Sequence, residues 1–213
     1  MIDTTPLHEQ IERELRQEIL SGRLPPGARL SIDELAQQWQ VSSTPVRDAV
    51  RMLEWKGFVE VLPRRGVRVV TLDAAALRDL FNIRVALECL AVELAWPHIP
   101  LEEIDDTLDQ LRHAYHQRQE TGERHLLAEV DTTVHDLVLR HCGNSYLTND
   151  VHGLMDLIEW ARSYVVRLPH SYEDAYPEHV AILEALRSRD RSRGVEAMCT
   201  HLRNALARTL RTD

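Results

Sequence analysis

"VSSTPVRDAVRMLEWKGFVEVLPRRGVRVV", residues 41–70, is the stretch whose reading decides the fold. Its first half predicts a helix from about Thr44 to Lys56: Pro45 falls in the first turn, where its missing N–H costs nothing, and Gly57 ends the run. Its second half alternates apolar and polar residues on both sides of "PRRG", which predicts a two-stranded hairpin with a basic tip. The chemistry sits at the ends of these elements. Ser42, Ser43 and Thr44 place hydroxyls at a helix N-terminus, where free N–H groups and the helix dipole favour phosphate, and Arg47 follows within one turn. Arg65 and Gly66 occupy the hairpin tip, where glycine permits a tight turn and close backbone approach.

Working upstream, Leu7, Ile11, Leu15 and Ile19 repeat every four residues and predict a helix over 7–20. "SGRLPPG" stops it. "SIDELAQQW" then predicts a short helix, with Ser31 as N-cap and Glu34 three residues later as in a capping box. A helix, two helices joined by a short turn, and a hairpin together make a winged helix-turn-helix. In that layout the last helix lies in the major groove and the wing reaches backbone or minor groove.

Downstream of residue 73 the pattern becomes wholly helical, with helices expected at about 74–96, 101–121, 124–142, 146–168, 174–189 and 191–211. The fold class is therefore mainly α: a winged helix-turn-helix over 1–72 and an all-α six-helix bundle over 73–213. "TLDA", 71–74, is the natural hinge between them.

A chain of 213 residues with 44% hydrophobic and 28% charged composition can build real cores. No window has the roughly 18 apolar residues a membrane span needs, so a cytoplasmic protein with no membrane partner is expected. Cys89, Cys142 and Cys199 are too scattered for a disulfide framework or a CxxC site, and are expected to be reduced, mostly buried thiols. The net charge of -9 argues by itself against nucleic acid. Acids and bases balance over the first 70 residues, however, so all the acidity lies in the second part. Between residues 43 and 68 bases are in excess, a suitable phosphate-facing surface.

The acidic part contains "DTTVH", 131–135. Asp131 and His135 lie one turn apart on one helix face, so either they form a local hydrogen-bonded pair or they aim at one ligand. His179 lies on the apolar stripe of Ile182, Leu183 and Leu186, and His201 on that of Met198 and Ala205; both are expected to face inward. One carboxylate and three imidazoles from separate helices would suit a divalent transition metal if they converge.

The stretch "LPPGARLSIDELAQQWQVSSTPVRDAVRMLEWKGFVEVLPRRGVRVV", 24–70, resembles the N-terminal domain of the GntR family of bacterial transcription regulators in its TPVR core, leucine spacing and RG wing. By position the resemblance implies DNA contacts from Ser42, Thr44, Arg47, Arg65 and Gly66, with Ser43 beside them. The family usually carries Arg where this chain has Ser43. An arginine there could discriminate guanine by roughly 1–3 kcal/mol, which implies a different or looser operator here.

"DTTVHDLVLRHCGNSYL" and "EHVAILEALRSRDRSRGVEAMCTHL" resemble the FCD ligand-binding domain of the FadR branch of that family, and six helices point to its VanR-like subgroup. This resemblance implies a metal, zinc first, with nickel or manganese as alternatives, held by Asp131, His135, His179 and His201. It also implies a small carboxylate effector, with Arg84 of "RVALE" offering a planar fork that suits it. A plain pairing of Arg84 with Glu88, four residues on, is the competing reading. The expected function is a homodimeric regulator, by preference a repressor, that binds double-stranded operator DNA and responds to a small organic acid at the metal. A purely structural metal or a direct metal sensor is the alternative, and a metal-dependent hydrolase a remote one. No catalytic residue is identified and no enzyme is expected.

Overall fold

The computed structural model describes residues 5–122, 125–165 and 172–210; the side chains of 125–131, 163–165, 172 and 173 fall outside that description. The chain divides into two compact units, Met1–Asp73 with Glu159–Ser163, and Ala74–Ile158 with Tyr164–Asp213. Among the described residues there are nine helices and three short strands.

In the first unit α1 (Leu7–Leu20) buries Ile11, Leu15 and Ile19. Helix α2 (Ile32–Gln38) starts at Ser31, whose Oγ accepts the Glu34 N–H at 3.3 Å, satisfying one of the orphan donors of the first turn. Helix α3 (Ser43–Trp55) buries Val46, Ala49, Val50 and Leu53, an i, i+3, i+4, i+7 stripe laid against α1 and α2. Each fully buried Val or Leu of that stripe contributes roughly 1.5–3 kcal/mol, which outweighs any modest surface contact in fixing the helix's rotation. The Lys56 Nζ donates to the buried carboxylate of Glu12 at 3.1 Å and so ties the end of α3 to α1. Gly57 follows with φ +81°, a left-handed conformation that ends the helix at no steric cost.

The hairpin is β2 (Val59–Leu62) and β3 (Gly66–Val69), antiparallel from Val59 opposite Val69 to Leu62 opposite Gly66. A two-residue strand, β1 (Arg29–Leu30), pairs on the other side of β3, giving the order β1-β3-β2. The sequence reading missed β1, because two residues are too few to show alternation.

In the second unit the helices are α4 (Ala74–Ala95), α5 (Leu101–Thr121), α6 (His125–His141), α7 (Ser145–Val165), α8 (Tyr172–Arg187) and α9 (Arg191–Thr209). Helix α9 packs against α4 and α8, α5 against α6 and α8, and α6 against α4 and α8. Their core includes Val92, Leu108, Leu137, Ile182, Met198 and Leu202. The expected extension of the fourth helix of this part, to residue 168, falls on residues outside the description; the described helix ends at Val165. No helix among the described residues is long and apolar enough to cross a membrane.

The thiol expectation needs correction. Cys89 on α4 and Cys199 on α9 are joined as a disulfide, with their Cα atoms 6.0 Å apart, while Cys142 is a free, buried thiol. A separation of 110 residues in the chain hid the pairing, because it becomes close only when α4 and α9 lie side by side.

Candidate metal centre and DNA-reading surface

The packed face of α6 carries Val134, His135, Leu137 and Val138, all buried. His179 enters from α8 beside Ile182 and Leu183, and His201 from α9 between Met198 and Leu202. The three imidazoles, each no more than 3% exposed, meet with ring centroids 4.3 to 5.6 Å apart. One ring nitrogen of each lies within 4.8 Å of the others. Spacing on single helices predicted His179 and His201 to face inward, and the fold brings them together with His135.

Asp131 lies one turn before His135 on α6, and its side chain is outside the described residues. The fourth expected ligand is therefore carried by helix position alone.

Two carboxylates back the histidines. Glu88 of α4, itself buried, bonds His135 Nδ1 through Oε2 and accepts from Arg84 Nε through Oε1. Glu178 of α8 bonds His201 Nδ1 at 2.9 Å. The same carboxylate accepts from both terminal nitrogens of Arg208 at 2.8 Å and from Asn204 at 2.7 Å. Each such bond fixes the ring's orientation and leaves Nε2 as the remaining ligand atom, the arrangement that metal-binding histidines use.

Protonation follows from the surroundings. Burial alone would raise the Glu88 carboxyl, but the Arg84 guanidinium and then His135 outweigh it and hold it well below the usual carboxylate range. Glu178 is likewise raised by burial but brought down to about 2 by hydrogen bonds from His201, Arg208 and Asn204 and by the Arg208 charge. Burial pushes His179 well below its ordinary value, and the neighbouring His201, His135, Arg208 and Arg84 push it further the same way. A neutral imidazole is the form that ligates a metal.

The donor set therefore fits a divalent transition metal: three buried, borderline nitrogen donors, two of them oriented at Nδ1 by carboxylates and the third, His179, favoured as the neutral imidazole by its burial. Arg84 constrains it. Its guanidinium lies 3.4 Å from His135 Nε2, over the Phe81 ring, so a metal taking that nitrogen displaces this contact. The structure shows the pairing of Arg84 with Glu88 and places the Arg84 guanidinium beside His135 of the cluster. Between α8 and α9 an open cleft of about 370 Å³ reaches Glu178 and His201, with Arg193, Glu196 and Thr200 on its walls.

Sequence reasoning missed the roles of Glu88 and Glu178. Glu178 adjoins His179 in the chain yet holds His201. The available signal was the spacing of His201, Asn204 and Arg208, which places all three on one side of α9.

In the first unit Ser42 is the N-cap of α3, but its side chain makes no capping bond, in contrast to Ser31. Its hydroxyl, Thr44, Arg47 and Arg51 are exposed, opposite the buried stripe, and Ser43 is half-buried. At the hairpin tip Arg64, Arg65 and Gly66 are exposed. The tip turns through left-handed φ values of +61° at Arg64 and +86° at Gly66. The Arg65 N–H donates to the Leu62 carbonyl at 3.0 Å and closes it.

The family model of bacterial regulatory proteins of the gntR type matches residues 7–69, and that of the FCD domain matches residues 79–204. The chain belongs to the GntR family. This regulator is 30% identical over 209 residues to the HTH-type transcriptional repressor RspR of Escherichia coli strain K12, across 93% of this chain and 87% of that one. Its fold matches that of E. coli McbR/YncC with a TM-score of 0.70 at 24% identity, covering 97% of both chains. It also matches the Zn2+-bound FCD domain of TM0439, a protein described as a transcriptional regulator, with a TM-score of 0.55 at 22% identity. That match covers 66% of this chain and 95% of the other. The chain is thus a DNA-binding transcription regulator with a winged helix-turn-helix and a helical FCD domain.

Proposed function

We propose that this regulator is a homodimeric repressor whose operator affinity is set by a small organic acid bound at a divalent metal, zinc by preference. The observation that carries the reading is the buried cluster of His135, His179 and His201, with two of its imidazoles held at Nδ1 by carboxylates. The relative whose fold it shares was solved with Zn2+ in the same kind of domain. Asp131 completes the ligand set by its position on α6. When bound, the metal supplies a positive centre with room for an anionic ligand, and Arg84, oriented by Glu88, supplies the second charge that a carboxylate needs. No reaction is assigned to the site.

For DNA, Thr44, Arg47 and Arg51 form the exposed groove-facing stripe of α3, with Ser42 and Ser43 at its N-terminus and Arg65 and Gly66 at the wing. A pseudo-palindromic operator needs two such readers. Helix α4 offers a surface for pairing two copies, since Ile83, Leu90 and Leu94 are exposed along it. The effector acts by binding two dispositions of the dimer unequally, transmitted through the 71–74 hinge.

The test is a gel shift with DNA from upstream of the protein's own gene, on zinc-loaded and EDTA-treated protein, with a panel of small carboxylates. Binding that weakens steeply with salt, and is released by a carboxylate only when zinc is present, is the expected result. Release by zinc alone favours the direct metal sensor; no binding at any salt refutes the reading.

A further inference from the structure

Cys89 and Cys199 form a contact that the regulator reading does not use. They project from neighbouring helices, α4 and α9, with Cα atoms 6.0 Å apart. That separation is typical of disulfide partners. Both residues are half-buried, in contrast to the free thiol of Cys142, which is buried and lies against the Leu139 carbonyl. The pair is thus less enclosed than Cys142.

The helices meet closely there. A Cβ on Gly194 would touch Val92 at 3.4 Å, so glycine lets α9 approach α4. The Cys89 sulfur lies 3.9 Å from the Val195 carbonyl, one helical turn before Cys199. The neighbours on either side belong to the histidine cluster: Glu88, next to Cys89, holds His135, and His201 follows Cys199 by two residues.

We infer that Cys89 and Cys199 are a reversible thiol–disulfide site for low-molecular-weight disulfides, and that the bridge fixes the offset of α4 against α9 beside the histidine cluster. In the oxidising direction one cysteine thiolate attacks a glutathione disulfide sulfur, whose S–S bond breaks and releases one glutathione. The second cysteine attacks the mixed disulfide and releases the other. Two protein thiols are oxidised, one glutathione disulfide is reduced to two glutathione thiols, and the two thiol protons pass to the departing glutathiones. Excess glutathione runs the exchange backwards. The bridge links residues 110 apart in the chain, so it restrains the unfolded chain strongly.

The experiment uses the full-length protein equilibrated in reduced and in oxidised glutathione, then denatured, alkylated and weighed. Oxidised wild type and Cys142→Ser are expected to show two fewer alkylatable thiols than their reduced forms, and to recover both in native dithiothreitol. Cys89→Ser and Cys199→Ser are expected to form no internal bridge. Wild type that keeps all three thiols in oxidised glutathione, or that resists native reduction, overturns the site. The bridged form is expected to melt several degrees above the reduced form, a difference absent from Cys89→Ser. Zinc affinity, measured by chelator competition on both forms, reads the link to the cluster: a severalfold difference supports it, and equal affinities overturn it. A protein that binds no zinc in either form refutes the metal-centre reading, and with it the link to the metal, while the thiol count still decides the bridge.

Discussion

Glu178 adjoins His179 in sequence but orients His201 on the next helix, bonding its Nδ1 at 2.9 Å while Arg208 grips both carboxylate oxygens. In the proposed metal centre the carboxylate would act through an imidazole, so its loss should show in metal affinity before it shows in fold. Glu178→Gln is expected to weaken zinc binding by about 10- to 100-fold, the usual cost of removing such support. Competition with a chromophoric chelator measures it, and circular dichroism checks that the helices persist.

His179→Ala and His201→Ala should each remove a ligand, lowering the zinc retained after dialysis, whereas alanine at the exposed His152 should leave it unchanged. Elemental analysis of the three variants beside wild type tests these two members of the ligand set.

Arg84 offers a separate handle. Replacing it with alanine leaves Glu88 buried with one partner fewer, and breaking a buried pair in this way costs about 3–5 kcal/mol. Arg84→Lys retains a charge but not the fork, so it is expected to fold while losing the carboxylate response. Urea unfolding and the effector-dependent gel shift separate the two effects.

Acid should destabilise the metal-free protein in two stages. His179 is held below its ordinary 6.5 in the fold, so below that pH the unfolded chain binds more protons and stability falls. Glu178, at about 2 against an ordinary 4.5, contributes stability that is present above 4.5 and lost as pH falls toward 2. Each group adds a slope of at most about 1.4 kcal/mol per pH unit in its window. Urea midpoints from pH 8 to pH 3 test this; a flat profile between 6.5 and 5 would exclude the buried neutral His179.

On the DNA side, Arg47→Ala should reduce operator affinity far more than Arg13→Ala on α1. Gly66→Ala should cost about 1 kcal/mol of stability through its left-handed φ, since the space for a methyl exists. Salt-dependent binding isotherms and thermal melts read the two.

Most of the helical layout was legible because each helix announces its own ends: Ser31 with Glu34, Gly57 after Trp55, Gly122 after Thr121. The inward turn of His179 and His201 was legible from single-helix stripes, whereas His135 stood out only by its one-turn spacing from Asp131. What escaped depends on distances between helices. No spacing rule brings Cys89 to Cys199 or Glu178 to His201, and β1 becomes a strand only because β3 lies beside it.

The wing has a kinetic consequence. Strand β1 braces β3 on the side away from β2, and the tip is closed by its own Arg65–Leu62 hydrogen bond. The backbone ordering that a disordered basic arm would undergo on meeting DNA is here completed during folding. With the wing at the DNA as proposed, association would restrict chiefly the arginine side chains, which favours rapid capture of the operator over slow, fold-on-contact docking.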